Sequence, residues 1–252
     1  MTTDAPLADK VSVVTGAGGT IGGAIAEELA TVGSDIALAV HNDEEVSGEI
    51  EAMGRRAHTV QCDVSDADDV RSVVDETIEE FGRIDIVVNS AAALTVGKMA
   101  DLEESDWDTV MGVNAKGTFL VSKYTIPHLK KTEGTIINVP SISGEIAAPD
   151  HSHYGASKHA QLGLTRSAAM ELADDNVTVN ALCPGIVESQ LWTDIMAPHK
   201  TESYGETVER VIPLGCDQTP AEMGEAAVFL ATNENITGQA LTIDGGIIQD
   251  VV

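Results

Sequence analysis

Short β-branched runs alternate along this chain with longer stretches in which apolar residues return every three or four positions. The runs occupy positions 11–15, 36–40, 58–62, 84–89, 135–139, 177–183 and 240–243. Their length and their bounding turn residues predict seven strands. The intervening segments 21–32, 70–81, 107–129, 153–173 and 221–232 carry apolar stripes at helical spacing and predict helices. Strict alternation of the two element types predicts an α/β fold. It is a Rossmann-type, doubly wound, seven-stranded parallel sheet with helices on both faces. No internal repeat and no linker rich in Pro, Gly and Ser divides the chain, so one domain over 1–252 is expected. The least regular stretch, 188–217, reads as an insertion that serves as a substrate lid.

Composition narrows what such a sheet can do. Hydrophobic residues make up 43% of the chain but aromatics only 3%, so the core is built from Ala, Val, Ile and Leu. Against 14 Lys and Arg stand 41 Asp and Glu, a formal charge of −27 that repels nucleic acid and anionic membrane surfaces. Acidic patches at 66–69, 101–106 and 174–175 fall among apolar periodic segments and read as solvated helix faces and ends. Such an excess of carboxylates resembles cytosolic proteins of salt-accumulating halophiles, in which concentrated cations screen self-repulsion. Cys62, Cys183 and Cys216 are too few and too far apart for a zinc site or a disulfide framework, and no metal site is expected. The start lacks a basic and an apolar leader region, and no stretch of membrane-spanning length occurs. A cytoplasmic protein is expected.

Three features carry chemistry. The first predicted strand runs into Gly16, Gly18, Gly19, Thr20, Ile21 and Gly22, followed by a helical pattern. Such a turn lets a diphosphate approach backbone N–H groups at a helix N-terminus. Tyr154 and Lys158 open another helical segment, and a spacing of four places them on one face. A neighbouring ammonium favours the phenolate and brings proton transfer within reach of neutral pH. Ser141 follows the fifth strand, where its hydroxyl can reach a substrate oxygen at the carboxyl end of the sheet.

Together these residues resemble the classical short-chain dehydrogenase/reductase family, over 11–246. Gly16 to Gly22 resemble its glycine-rich turn, Asp63 and Val64 its adenine-contacting pair, and Asn89, Ser90, Ala91 and Ala92 its Asn-Asn-Ala-Gly strand end. Asn114, Ser141, Tyr154 and Lys158 match its catalytic tetrad. Pro184, Gly185 and Val187 look like the segment that meets the nicotinamide, Ser189 stands where a threonine is usual, and Asp244, Gly245 and Gly246 look like the usual ending. The resemblance implies that hydride moves between a nicotinamide and a carbonyl or secondary alcohol. In it, Tyr154 is the general acid or base, Ser141 binds the reacting oxygen, Lys158 lowers the tyrosine pKa and holds the nicotinamide ribose, and Asn114 positions a water. Ser143 and Trp192 are the further substrate contacts expected. A homotetramer is the usual assembly.

The chain also departs from the family. Thr20 replaces the middle glycine of the turn, and Ser90 and Ala92 replace an Asn and a Gly. Val40 ends the second strand where NAD-specific members place Asp, so no carboxylate is aligned for both ribose hydroxyls. His41 and Asn42 can hydrogen-bond a 2′-phosphate, whereas Asp43, Glu44 and Glu45 would oppose it. The cofactor is NAD(P), leaning to NADP. His151, His153 and Glu145 read as solvated loop residues near Tyr154 that can also meet a polar substrate, while Trp192, Met196 and Tyr204 form either an apolar lid or its anchors.

The stretch 183–192 looks like that of acetoin/diacetyl reductases and polyol dehydrogenases, and the His153-Tyr154 step is similar to glucose dehydrogenases. A small ketone, polyol or sugar is the substrate expected. The 3-oxoacyl carrier-protein reductases are the alternative, disfavoured by Asp174 and Asp175, which are expected near the site mouth. A non-catalytic NAD(P)H sensor or a supporting subunit is the reading from another class.

Overall fold

The computed structural model describes residues 5–42, 47–196 and 203–249. Seven strands form one parallel sheet: β1 (Val11–Thr15), β2 (Asp35–Val40), β3 (Ala57–Gln61), β4 (Ile86–Asn89), β5 (Thr135–Asn138), β6 (Thr178–Pro184) and β7 (Ala240–Ile243). Their order is β3-β2-β1-β4-β5-β6-β7. The chain therefore winds outward from β1 in one direction and from β4 in the other, and Val11 pairs with Asp35 while Ser12 pairs with Ile86. Between β1 and β4 the winding reverses, which opens a crevice beyond the carboxyl ends of the strands.

Alternate strand residues feed two separate cores, because side chains of a strand point to opposite faces. Val14, Leu38, Val88 and Ile137 pack with Ile25, Leu29 and Met223 of helices α1 (Thr20–Thr31) and α8 (Pro220–Ala231). Val13, Ala37, Val87 and Ile136 pack on the other face with Val73 of α3 (Ala67–Phe81), Leu129 of α5 (Thr118–Thr132) and Ala169 of α6 (Ser152–Leu172). Helix ends are set locally. Asp66 caps α3 by accepting from the N–H groups of Asp68 and Asp69, and Gly82 ends it in the left-handed region. Thr219 and Glu222 form a reciprocal capping box at α8, with Pro220 in its first turn.

Two helices were not legible as such. The short α2 (Ser47–Ala52) lies between β2 and β3, and α7 (Tyr204–Val211) lies inside the stretch expected to be irregular. A further expectation needs correction: the predicted single helix over 107–129 is divided. Helix α4 (Glu104–Val110) passes into a π-helical turn over Met111–Gly117, and α5 follows. Asp174 and Asp175 also lie elsewhere than expected. They follow α6 and precede β6, at the amino ends of the strands, where Lys130 Nζ pairs with Asp175 Oδ2 at 2.6 Å. The site mouth is at the opposite edge.

At that amino edge one buried carboxylate joins several chain segments. Asp85 accepts from Arg83 Nε at 2.7 Å and Nη2 at 2.6 Å, from Lys10 Nζ at 3.1 Å and from the Val11 N–H at 3.0 Å. Its backbone carbonyl accepts from the Thr135 N–H. The group thus fixes the starts of the central strands.

Candidate active site

A cleft of about 630 Å³ opens at the switch point between β1 and β4. Its floor is the turn after β1, where Gly16 has φ +65° and an added Cβ would lie 2.7 Å from the Ala91 Cα. Only glycine suits that place, on both conformation and space. Gly22 lets α1 press directly onto the Gly16 carbonyl. Helix α1 therefore begins at Thr20 with its free N–H groups facing the cleft, a cradle shaped for a diphosphate.

Of the residues expected to bind a cofactor, Gly16, Gly18, Gly19, Thr20, Ile21, His41, Asn42, Asp63, Val64, Ala91 and Ser189 line this cleft. Burial alone would raise the Asp63 carboxyl, but the Ser65 hydroxyl and N–H, with His41 and Lys116 nearby, hold it below the usual carboxylate range. Asn89, Pro184, Gly185 and Val187 are not among the lining residues. Asn89 instead donates to Asn138 Oδ1 at 2.8 Å and Ser122 Oγ at 3.2 Å, Gly185 packs against Gln218 and Asp244, and Val187 forms a bridge to Gln218. Asp43, Glu44 and Glu45 lie outside the described residues.

Beyond the cleft three of the four expected catalytic side chains meet, and the fourth, Asn114, is linked to their helix through Ser157. Tyr154 and Lys158 share one face of α6, and Lys158 Nζ lies 5.2 Å from the centre of the Tyr154 ring. Lys158 is 1% exposed and its ammonium donates to the Val139 carbonyl at 3.3 Å. Ser141, just past β5, accepts from the Ser143 N–H at 3.1 Å and hydrogen-bonds the Tyr154 phenol. Asn114 sits in the π-helical turn. Its Oδ1 accepts from the Ala93 N–H at 2.7 Å, and its Nδ2 donates to the Ala93 carbonyl and to Ser157 Oγ, each at 2.9 Å.

Burial dominates the electrostatics. It pushes the Tyr154 phenol up to about 12, with the Ser141 hydrogen bond pulling the other way, and it brings the Lys158 ammonium down to about 7. The expected lowering of the phenol by its lysine neighbour is thus opposed by desolvation of both groups. Leu94, Val110, Leu191 and Ile195 wall the phenol with apolar surface. Trp192 is buried edge-on against Tyr204, 5.2 Å between ring centres, and the Tyr204 hydroxyl donates to Asp217 Oδ2 at 2.6 Å. Those aromatics therefore anchor the segment after β6. The Met196 side chain lies outside the described residues.

His153 is not a solvated loop residue. It belongs to the first turn of α6, is fully buried, and its Nε2 meets Thr95 Oγ1 at 2.7 Å. His151 is buried as well, with Nδ1 at 2.6 Å from the Pro149 carbonyl. The sequence places His153 at the start of the helical segment 153–173 but gives no sign of its burial, because a polar ring ahead of the apolar stripe reads as exposed. Burial lowers the His153 imidazole from its ordinary 6.5, outweighing the opposite pull of Asp106. The folded protein therefore resists a proton that the unfolded chain accepts. Its contribution to stability is complete above 6.5 and is lost as pH falls towards the depressed value. Urea unfolding at pH 7.5 and 5.5 should show a smaller loss on acidification in His153→Gln than in the wild type. Equal losses would contradict the assignment.

Comparison with known proteins agrees with this geometry. A family model described as Enoyl-(Acyl carrier protein) reductase matches residues 16–248. The chain is 36% identical over 250 residues to a 3-oxoacyl-[acyl-carrier-protein] reductase of Thermotoga maritima, covering 96% of this chain and 99% of that one. It is likewise 36% identical over 249 residues to the oxidoreductase UcpA of Salmonella typhimurium, with 95% of each covered. A short-chain type dehydrogenase/reductase from Mycobacterium marinum superposes with a TM-score of 0.90 at 32% identity, over 97% of both chains. A seven-stranded parallel sheet of this order, with its cleft at the switch point, defines a Rossmann-type fold. The chain belongs to the short-chain dehydrogenase/reductase family. Among the described residues no helix is long and apolar enough to cross a membrane, and no cluster of His, Cys, Asp or Glu could hold a metal.

Proposed function

We propose that this chain is an NAD(P)-dependent reductase or dehydrogenase acting on a small ketone, polyol or sugar. The observation that carries the reading is the buried Tyr154 phenol, hydrogen-bonded to Ser141, beside Lys158 and next to a cleft shaped for a dinucleotide. When bound, the nicotinamide supplies or accepts hydride. In reduction Tyr154, held protonated by burial, gives its proton to the developing alkoxide, and Ser141 donates a second hydrogen bond to that oxygen. In oxidation Tyr154 takes the proton back. Lys158 would hold the nicotinamide ribose and set the charge beside the phenol, and Asn114 would position a water that links the site to solvent. Ser143 and Trp192 are proposed as further substrate contacts, and the segment 188–217 as the lid.

The glycine cradle and the free N–H groups at the start of α1 fit a dinucleotide diphosphate. His41 and Asn42, which line the cleft just past β2, favour NADP. Lys158→Ala should lower turnover and weaken cofactor binding together. Fluorescence titration of the mutant with NADPH checks the second effect, and an unchanged affinity would remove Lys158 from the ribose site.

A 3-oxoacyl thioester is the second reading, supported by the Thermotoga maritima relative. The rim argues against an acidic carrier protein for a reason other than Asp174 and Asp175. Asp101, Glu103, Glu104 and Asp108 are exposed on the segment leading into and along α4, and Asp108 lines the cleft. Exposed Trp107, Phe119 and Met170 on the α4, α5 and α6 side support the proposed homotetramer. The charge of −27 supports a cytosol rich in salt, and chemical unfolding should show stability rising with KCl.

The deciding assay is run in molar KCl with NADPH and NADH in parallel. Acetoin, diacetyl, aldehydes and 3-oxoacyl thioesters are tested in reduction, glucose and polyols in oxidation. Turnover of a small ketone or polyol supports the reading. Turnover confined to thioesters replaces it with the second, and silence despite cofactor binding points to a sensor or supporting subunit.

A further inference from the structure

We infer that Gln161 is a positioning residue for this site, acting through the Thr118 hydroxyl to fix the Asn114 carbonyl in the π-helical turn. The inference rests on the proposed proton-transfer role of the Tyr154 site. Tyr154, Lys158, Gln161 and Thr165 follow one another at intervals of three or four residues and so share the inner face of α6. Gln161 is fully buried, and its Nε2 donates to Thr118 Oγ1 at 2.8 Å. Thr118 Oγ1 in turn donates to the Asn114 carbonyl at 2.8 Å.

That second bond has a local cause. The Thr118 backbone N–H is directed to the Ala115 carbonyl rather than back to Asn114, and the Thr118 hydroxyl takes its place. A hydroxyl has one proton and can rotate it. With Gln161 donating to the oxygen, the Thr118 proton is directed at Asn114. The other side of Asn114 is already committed, to the backbone of Ala93 and to Ser157, whose hydroxyl donates to the Tyr154 carbonyl. Asn114 is therefore gripped from both ends, at its side-chain amide and, through Thr118 and Gln161, at its backbone carbonyl.

Gln161 itself is anchored. Its backbone carbonyl accepts from Thr165 Oγ1 at 2.8 Å, and Thr165 accepts from Asn138 Nδ2 at 2.8 Å at the end of β5. Yet its Oε1 is buried with no hydrogen-bond partner among the described residues. An apolar side chain of equal length would avoid that unpaired oxygen. A glutamine kept for packing alone is a poor choice here, whereas one kept for its Nε2 donor accounts for the cost.

This argument separates position from stability. Gln161→Met should melt at the same temperature as the wild type or higher. Its kcat should fall about tenfold, the size of one lost hydrogen bond, with KM and NADPH affinity within about twofold. Thr118→Val should lose a similar amount, Thr118→Ser should recover most of that loss, and adding Gln161→Met to Thr118→Val should cost nothing more. A kcat unchanged in Gln161→Met, or a loss of melting temperature and cofactor affinity alongside kcat, would overturn the inference. Amide exchange over 111–118 tests it without turnover. Faster exchange confined to that turn in Gln161→Met supports it, and unchanged exchange overturns it even if the substrate reading fails.

Discussion

Replacing Tyr154 with Phe is expected to reduce turnover about a thousandfold while leaving NADPH affinity within about threefold, because it deletes the proton donor and almost no contact area. The remaining ring still fills the space among Leu94, Val110 and Leu191, so the fold should not register the change. The wild-type pH profile carries a second part of the prediction. With the phenol held near 12, its protonated form dominates through neutral pH, so any pH dependence of reduction there should follow the Lys158 ammonium, brought down to about 7, and not the phenol. Oxidation needs the scarce phenolate and should accelerate as pH rises. Stopped-flow measurement of nicotinamide absorbance in both directions tests both statements. Full activity in Tyr154→Phe would exclude the proposed chemistry.

Asp85→Ala should be the most damaging single change outside the site, at about 3 kcal/mol. Its carboxylate is almost wholly buried while Arg83 and Lys10 remain partly solvated, so the cost lies mainly in lost charged hydrogen bonds and an orphaned Val11 N–H. A buried carboxylate is screened less than a surface pair. The deficit should therefore persist in molar KCl, whereas disrupting the exposed pair of Arg56 and Glu80 should matter little in any salt. Urea unfolding of both variants at low and high KCl makes the comparison. An Asp85→Ala deficit that disappears in salt would show that the carboxylate is not sequestered.

These two residues differ in how far the sequence announced them. Tyr154 was legible because its spacing from Lys158 is itself the geometry: a helix converts four residues into adjacency. Asp85 was not, since its partners Lys10 and Val11 arrive from the start of β1, 75 and 74 residues away in the chain. The strands could be placed to within two residues, because short apolar runs bounded by turn residues leave a simple pattern, even at the less buried edges β3 and β7. The π-helical turn left none. One extra residue per turn hardly alters apolar spacing, so 107–129 read as a single helix although its phase shifts at Asn114. Asp174 and Asp175 were placed at the wrong end because sequence shows charge without direction. The sense of β6 settles it. Asn89 and Gly185 match the family pattern, and their partners were not legible: Asn89 donates to Asn138 and Gly185 packs against Gln218 and Asp244, both distant in the chain.

The separation of the two edges of the sheet bears on how such a protein can change. The groups proposed for chemistry gather on the side of the carboxyl ends of the strands, while Asp85 and its cations tie the amino ends together. Substitutions around Leu191, Trp192 or Thr95 can therefore be explored for new substrates without drawing on the lock at the far edge. A library confined to the carboxyl rim should retain folded members at a far higher rate than one of equal size around Asp85. The molecule keeps its capacity for novelty and its integrity in different places.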